Sequence, residues 1–224
     1  MRLVVFDCDG TLVDSQHMIV EAMRIGFAEN GLPAPARALM LRQVGLSVPE
    51  AMQALTGIDD PQILAGLSAA YRDAFFELRR AGSIGDPLFP GTRETIEALA
   101  ARDDTLIGIA TGKSRRGVDA LLAREGWQGL FATIQTADDA PSKPHPAMLF
   151  QAMAETGTGP DHTVMIGDTT YDMAMARAAH ARGIGVAWGY HGAAELIEAG
   201  AQSVIADFAE LPGLLLPSAQ RRMG

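Results

Sequence analysis

The sequence predicts an α/β fold, in which a doubly wound parallel sheet carries an inserted all-helical domain. Short apolar runs rich in β-branched residues alternate with segments whose apolar side chains recur at helical spacing. This alternation is typical of a parallel sheet with helices on both faces. Between residues 15 and 86 the alternation stops and only helical patterns are found. Such a segment is too long for one crossover connection, so we expect it to form a second domain.

The first strand is predicted at Leu3-Val4-Val5-Phe6, an apolar run that ends abruptly at Asp7. The helical segment follows, and its clearest helices are predicted from Met18 to Asn30 and from Pro61 to Arg80. Gly85-Asp86-Pro87 marks the return of the chain to the sheet. We therefore expect a core domain of residues 1–14 and 87–224 and a helical domain of residues 15–86.

Beyond the insertion, strands and helices alternate. The further strands are predicted at residues 106–110, 131–134, 164–166, 184–187 and 203–205. The helices between them are predicted at residues 92–102, 114–125, 146–155 and 171–182. Each strand is short and apolar, as expected where helices cover both faces of a sheet.

The composition excludes several classes of protein. Of the 224 residues, 48% are hydrophobic and 20% are charged, which is typical of a folded globular protein and not of a disordered chain. The net charge of −9 repels a phosphate backbone, so nucleic acid is not an expected partner. No apolar run is long enough to cross a membrane, so a membrane is not expected either. Cys8 is the single cysteine, which favours a reducing, cytoplasmic location.

Polar residues follow four of the predicted strands, at the edge where open parallel sheets bind their ligands. They are Asp7 and Asp9 after the first strand, Thr111 after the second, Lys143 in the loop beyond the third, and Asp168 and Asp172 after the fourth. Clustered carboxylates repel one another, and a bound cation relieves that cost. Because the set offers oxygen ligands and no Cys or His pair, it favours Mg²⁺ as the cofactor.

These residues resemble the four motifs of the haloacid dehalogenase superfamily. The resemblance is carried by Asp-x-Asp-Gly-Thr at 7–11, Thr111, Lys143-Pro144 and Gly-Asp-x-x-x-Asp at 167–172, in the right order along nearly the whole chain. A helical cap inserted just after the first motif is similar to the phosphoglycolate phosphatase-like branch. The resemblance implies a Rossmann-like core, a helical cap and a phosphatase activity.

The resemblance also implies a role for each motif residue. Asp7 would be the nucleophile that forms an aspartyl-phosphate, and Asp9 would be the general acid and base. Thr111 would hydrogen-bond the transferring phosphoryl group, and Lys143 would neutralise its charge. The phosphate-binding residues would be Gly10, Thr111, Gly112 and Lys143.

A magnesium site is the remaining implication of the resemblance. Asp168 would bind the ion together with Asp7 and with Asp9, which would contribute its main-chain carbonyl. Asp172 would lie behind these ligands and orient Lys143 or a metal-bound water.

Other functions are less favoured by particular residues. Mutases of this branch carry His five residues after the aspartate that corresponds to Asp14, and Ile19 stands there instead.

A signalling protein that stores phosphate on an aspartate would gain nothing from Asp9, because a group that activates water shortens the life of the phosphoaspartate. Gly112-Lys113-Ser114 is similar to the end of a nucleotide-binding loop, but Ile107 replaces the glycine that this loop requires. The mutase and the signalling protein remain as alternatives.

Substrate specificity is expected to come from the cap, because a cap that closes over the core excludes water. The substrate class is a small phosphorylated metabolite, such as phosphoglycolate or a sugar phosphate. Arg42 is the nearest cation for a carboxylate on such a substrate. The other candidate contacts are Gln16, His17, Gln43, Val44, Gly45, Leu46 and Ser47. The protein is expected to be a monomer or a homodimer.

Overall fold

The core of the computed structural model, which describes residues 1–82 and 85–215, is one parallel sheet. Its strands are β1 (Arg2–Phe6), β2 (Thr105–Ala110), β3 (Thr133–Gln135), β4 (Thr163–Gly167), β5 (Arg182–Val186) and β6 (Ser203–Ile205). Their spatial order is β3-β2-β1-β4-β5-β6, with every neighbouring pair parallel. The order reverses at β1, which is where doubly wound sheets form their binding crevice.

The helices divide between the insertion and the core. Those of the insertion are α1 (Gln16–Glu29), α2 (Arg37–Arg42), α3 (Val48–Thr56) and α4 (Pro61–Ala81). Those of the core are α5 (Thr92–Ala100), α6 (Arg115–Glu125), α7 (Ala147–Thr156), α8 (Thr170–Ala178), α9 (Ala193–Ala199) and α10 (Leu211–Leu215). Among the described residues, none of these helices combines the length and the apolar character that a membrane span requires.

The main departure from the predicted elements lies at the end of α8. The sequence pattern predicts a helix as far as Arg182, whereas the helix ends at Ala178 and Arg182 begins β5. His180 adopts a left-handed backbone conformation (φ 56°), which turns the chain directly into the strand. The alanine-rich sequence around this turn is compatible with a helix, so periodicity alone did not locate its end.

Both faces of the sheet are buried, because successive strand residues point to opposite sides. On one face Val4 and Phe6 of β1 pack with α5 and α6. On the other face Leu3 and Val5 pack with α7 and α8. All four side chains are fully buried. This two-sided burial explains why the strands read as continuous apolar runs.

The insertion has a hydrophobic cluster of its own, made chiefly by α1 and α4 and joined by residues of α2 and α3. Its buried members include Met23 and Phe27 of α1, Met40 of α2 and Leu67 of α4. Gly26 of α1 allows a close approach, since a Cβ there would lie 3.0 Å from the backbone nitrogen of Tyr71. The insertion is therefore packed internally as well as against the core.

The packing around α6 gives a test of the fold. Leu121→Ala removes a side chain that is 1% exposed in the main core cluster, and we expect a loss of about 2–5 kcal/mol in the free energy of unfolding. The matched control is Leu39→Ala, because Leu39 is 54% exposed and its truncation should stay within about 0.5 kcal/mol of wild type. Chemical denaturation measures both changes, and equal losses would contradict the described packing.

Candidate active site

The carboxyl ends of neighbouring strands bring the predicted residues together. Phe6 of β1 pairs with Ile109 of β2 and Ile166 of β4, so the chain leaves these strands at one edge of the sheet. The residues that meet there are Asp7 after β1, Thr111 after β2, Lys143 from the loop between β3 and α7, and Asp168 and Asp172 after β4. Each of these residues is at most 1% exposed.

Lys143 is the cation at the centre of this cluster. Its ammonium lies 2.6 Å from Oδ1 of Asp172 and 2.9 Å from Oδ2 of Asp7. The other oxygen of Asp172 accepts hydrogen bonds from the backbone N–H and the hydroxyl of Thr169, at 3.1 and 2.6 Å. Thr169 and Asp172 form the capping box that begins α8, so the start of this helix fixes the carboxylate that holds Lys143.

Burial sets the protonation equilibria of the cluster. It raises the pKa of Asp7 to about 6, although the positive charge of Lys143 acts in the opposite direction. It also raises the pKa of Asp168 well above its usual value, and the neighbouring charges of Asp172 and Asp7 raise it further. Burial lowers the pKa of Lys143, but the two carboxylates beside it outweigh that effect and the net pKa is raised. The cluster therefore has less positive charge than negative charge when its carboxylates are ionised.

The side chains present fit a hard divalent cation. Asp7, Asp168 and Asp172 each place one oxygen within 4.8 Å of the others. Asp7 is buried, and the ammonium of Lys143 lies 2.9 Å from its Oδ2. Three buried carboxylates with one lysine leave an excess of negative charge, and carboxylate oxygens are the ligands that Mg²⁺ prefers. The side chain of Asp9 is not part of this group.

Gly10 is required where the loop after β1 passes Asp168. Its φ of 86° lies in the left-handed region, and a Cβ at this position would overlap the carboxylate of Asp168. The N–H of Gly10 donates to the carbonyl of Val13 at 3.0 Å. Because the turn uses this donor, the N–H of Gly10 is not free to bind phosphate as was expected from the sequence. The structure assigns Gly10 a steric role instead.

Asp9 is held by a residue that the motif analysis did not select. The ammonium of Lys113 lies 2.6 and 2.7 Å from the two carboxylate oxygens of Asp9, and the hydroxyl of Ser15 donates to Oδ1 at 2.6 Å. Burial raises the pKa of Asp9, but the charge and hydrogen bonds of Lys113 lower it by more. The position of Lys113, just after the second strand, was the available signal. In the sequence Lys113 also belongs to the segment that is similar to the end of a nucleotide-binding loop.

Thr111 and Gly112 lie where the core meets the insertion. Thr111 does not cap α6, because Ser114 takes that position and accepts from the N–H of Gly117. A Cβ on Gly112 would overlap the carbonyl oxygens of Gly45 and Leu46 in the loop between α2 and α3. This loop therefore approaches the strand end to backbone contact, and only glycine leaves room for it.

Several of the expected cap contacts do not reach the cavity. Arg42 forms an exposed ion pair with Glu195 at 2.8 Å, which joins the insertion to the core away from the nucleophile. Gln16 donates to Asp14 and accepts from Arg37 at 2.7 Å, and His17 is exposed. These partners hold Arg42 and Gln16 outside the cavity. Ser47 is also outside it, and its N–H donates to Ser142 of the core at 2.8 Å.

A cavity of about 500 Å³ lies between the insertion and the core. Its core side includes Asp7, Asp9 and Thr111, and the α2–α3 loop contributes Gln43, Val44, Gly45 and Leu46. The rest of the lining comes from α1, α3, α4, the loop between β2 and α6, the start of α6, and Asp138. The polar and aromatic residues of α4 and of the β2–α6 segment were not predicted; they include Tyr71, Arg72, Phe75, Arg79, Lys113 and Arg116.

The insertion is docked by a second set of contacts with the loop between β5 and α9. Nδ1 of His191 accepts from the N–H of Thr170 at 3.0 Å, so Nε2 carries the proton and donates to the carbonyl of Arg42 at 3.1 Å. The preceding N–H, that of Tyr190, donates to Oδ2 of Asp168 at 2.9 Å. One short loop therefore contacts both the insertion and the carboxylate cluster.

Comparison with known proteins decides the family. A family model described as haloacid dehalogenase-like hydrolase matches residues 1–180, which is most of the chain. The chain is a haloacid dehalogenase-like hydrolase. The expected family and the α/β fold with an inserted helical cap are thereby confirmed.

Similar proteins cover nearly the full length of this hydrolase. A Dickeya dadantii protein named "Probable phosphatase IndB" is 34% identical over 94% of this chain and 92% of its own. A phosphoglycolate phosphatase of Yersinia pestis is 32% identical over 97% of this chain and 95% of its own. The crystal structure of a hydrolase from Pseudomonas syringae superposes with a TM-score of 0.84 at 28% identity, covering 96% of this chain and 98% of that one. The expected enzyme class, a phosphoric monoester hydrolase, is confirmed by these relatives.

The steric role of Gly10 can be tested. Gly10→Ala adds a Cβ that must overlap Asp168, and we expect a loss of about 1–3 kcal/mol in unfolding free energy beyond the cost of the backbone conformation. Gly129→Ala is the matched control, because Gly129 has a similar φ of 81° and open space around its Cβ position. That control carries only the conformational cost of about 1–2 kcal/mol. Equal destabilisation in urea titrations would refute the proposed overlap.

Proposed function

We propose that this hydrolase is a Mg²⁺-dependent phosphatase that acts on a small phosphomonoester through an aspartyl-phosphate on Asp7. The observation that carries the proposal is the arrangement of Asp7 and Asp9 on one cavity, beside the buried group of Lys143, Asp168 and Asp172. A nucleophile, an acid and an excess of negative charge that a cation would relieve are the parts that such a reaction needs.

The proposed metal ligands are Asp7 and Asp168, with the main-chain carbonyl of Asp9. The excess of negative charge in the buried group of Asp7, Asp168 and Asp172 supports this assignment. When bound there, Mg²⁺ would supply positive charge to the phosphoryl oxygens and keep the nucleophile ionised. Asp172 would hold Lys143 in place, as their 2.6 Å ion pair supports.

In the first half of the reaction, a carboxylate oxygen of Asp7 attacks phosphorus and the bond from phosphorus to the ester oxygen breaks. Although Lys113 lowers the pKa of Asp9 in the free site, Asp9 must be protonated for this step. It gives that proton to the ester oxygen, so the alcohol leaves in neutral form. Lys143 is close enough to Asp7 to offset charge on the phosphoryl group as it transfers, and Thr111 lies beside it at the end of β2. The products of this step are the alcohol and phospho-Asp7.

In the second half, water attacks phosphorus and Asp9 takes one of its protons. The bond between phosphorus and the Asp7 oxygen breaks, which releases inorganic phosphate and restores the free carboxylate. Asp9 thereby regains the proton that it gave to the alcohol. The hydrogen bond from Ser15 fixes one oxygen of Asp9 in the cavity, which supports its use in both halves.

The helical insertion is proposed to act as a cap, with residues 15–86 as its bounds and residues 1–14 and 87–224 as the catalytic core. The backbone contact at Gly112 and the ion pair between Arg42 and Glu195 support a closed position over Asp7. A closed cap keeps bulk water away from phosphorus while the ester is bound.

A phosphatase is favoured over a mutase by the residue at position 19. Ile19 lines the cavity and is 3% exposed, so the position where mutases of this branch carry His offers no proton-transfer group. The Yersinia pestis relative suggests phosphoglycolate as one substrate, and a sugar phosphate is the other class proposed. Cytoplasmic location and a monomeric or homodimeric state remain predictions from the sequence.

The mechanism predicts Mg²⁺-dependent release of phosphate from 4-nitrophenyl phosphate. Asp7→Asn should abolish release because the nucleophile is lost, and Asp9→Asn should slow it by about 10²–10⁴-fold because acid and base catalysis is lost. Asp103→Asn, at an exposed position, is the control and should retain wild-type rates. Full activity of Asp7→Asn or in excess chelator would exclude the mechanism, and less than a threefold effect of Asp9→Asn would remove its role.

The metal site predicts stabilisation by Mg²⁺ in the absence of substrate. At a Mg²⁺ concentration 100 times its Kd, the gain is about 2.7 kcal/mol, which raises the Tm by about 5–10 °C. Asp168→Asn should lose most of this rise because it removes a ligand, whereas Asp103→Asn should keep it. Differential scanning fluorimetry with and without EDTA measures the shift. An undiminished rise in Asp168→Asn would place the ion elsewhere.

A further inference from the structure

We propose that Trp188 is a positioning residue of the active site, which acts through Thr11 to orient the carboxylate of Asp168. The proposal rests on the phosphatase function above, in which Asp168 is a ligand of Mg²⁺. Trp188 lies in the loop between β5 and α9, outside the four motifs that the sequence analysis selected. It therefore adds a part to the site that comes from a fifth strand end.

The carboxylate of Asp168 is held at both of its oxygens. The hydroxyl of Thr11 donates to Oδ1 at 2.9 Å, and the backbone N–H of Tyr190 donates to Oδ2 at 2.9 Å. Asp168 and Thr11 are fully buried, so water does not replace these donors. Groups that orient a metal ligand in this way contribute about 10–100-fold to metal affinity.

The two loops that supply these donors both touch Asp168. A Cβ on Gly189, in the loop after β5, would overlap the Cβ and Oδ2 of Asp168. A Cβ on Gly10, in the loop after β1, would overlap the same carboxylate from its own loop. The orientation of Asp168 therefore depends on how these two loops are placed relative to each other.

Trp188 joins the two loops. Its indole N–H donates to the main-chain carbonyl of Thr11 at 3.1 Å. This hydrogen bond fixes the residue whose hydroxyl holds Oδ1 of Asp168. Tyr190, which holds Oδ2, follows Trp188 by two residues. One short segment of the β5–α9 loop thus acts on the donors to both oxygens.

Aromatic packing gives Trp188 a defined position from which to donate. Its ring centroid lies 4.6 Å from that of Phe208 and 6.2 Å from that of Phe89. Phe208 is 1% exposed and belongs to the main core cluster. Phe89 lies in the segment that returns from the insertion, and its N–H donates to the carbonyl of Leu12 at 3.0 Å. The indole is therefore supported by the core on one side and by the loop after β1 on the other.

A matched pair of variants separates positioning from packing. Trp188→Phe keeps an aromatic ring beside Phe89 and Phe208 and removes the N–H that holds Thr11. Trp127 is the other tryptophan of the chain, is 1% exposed, and has no hydrogen-bond partner for its N–H among the described residues. Trp127→Phe therefore removes the same atoms from the core without removing a hydrogen bond.

Calorimetric titration with Mg²⁺ alone measures the effect on Asp168 without any substrate. We expect Trp188→Phe to raise the Kd for Mg²⁺ by about tenfold, because Asp168 loses its fixed orientation. Trp127→Phe should keep the wild-type Kd, since it leaves every contact of Asp168 in place. A rise of less than threefold in Trp188→Phe, or an equal rise in both variants, would overturn the positioning role.

Kinetics on 4-nitrophenyl phosphate provide a second criterion. In Trp188→Phe the Mg²⁺ concentration for half-maximal rate should rise by about tenfold, and kcat at saturating Mg²⁺ should stay within about threefold of wild type. A loss of kcat that saturating Mg²⁺ does not restore would indicate a packing defect and would overturn the positioning role.

Tryptophan fluorescence tests the contact in a protein that still contains Trp188. Trp127→Phe leaves Trp188 as its only tryptophan, and positive charge bound beside Asp168 changes the electric field at the indole. We expect a saturable change in emission whose midpoint equals the calorimetric Kd for Mg²⁺. Trp188→Phe, which keeps only Trp127, should show no such change. Constant emission from Trp127→Phe at saturating Mg²⁺ would overturn the proposal.

The outcomes distinguish this proposal from the proposed function. A wild-type protein that binds Mg²⁺ and releases phosphate, together with a Trp188→Phe variant that behaves like Trp127→Phe, would overturn the positioning role and leave the phosphatase intact. A wild-type protein that neither binds Mg²⁺ nor releases phosphate would overturn the phosphatase function, and the positioning role with it.

Discussion

The repulsion between buried carboxylates at the ends of β1 and β4 is the constraint on which the rest of the structure depends. Asp7, Asp168 and Asp172 meet because parallel strands release their chains at one edge. Lys143 offsets part of their charge, and the capping box of α8 fixes Asp172 so that Lys143 has a defined position. The turn at Gly10 must then pass Asp168 without a side chain. The start of α8, Lys143 and Gly10 are therefore all positioned by the repulsion among these carboxylates.

The insertion covers this edge of the sheet, and the edge itself is formed by residues of the core. Its α2–α3 loop lies in backbone contact with Gly112, and α4 forms a wall that none of the strand ends could supply. The proposed catalytic residues therefore lie close to the sheet. The shape and charge of the cavity depend strongly on α4, which is distant from those residues in sequence. The relatives match almost the full chain, insertion and core together.

The sequence was sufficient for the sheet and for the residues at its edge. Buried strands such as β1 are continuous apolar runs, and the polar residue that ends each run marks the site. The short helices α2 and α3 were not predicted, because their apolar positions are too few to show a period. Arg42 was selected for its charge and its place in the chain, but its partner Glu195 lies in a distant segment. Lys113 and Arg79 line one cavity from the core and from the insertion, and no local sequence pattern predicts this.

The loop between β5 and α9 has a consequence for how binding events communicate. The N–H of Tyr190 contacts Asp168 and the imidazole of the adjacent His191 contacts the insertion, so two neighbouring residues join the proposed ion site to the docked insertion. Thermodynamic linkage makes any coupling between them mutual: to whatever degree a ligand at the proposed ion site favours the docked insertion, docking of the insertion on a substrate tightens binding at that site.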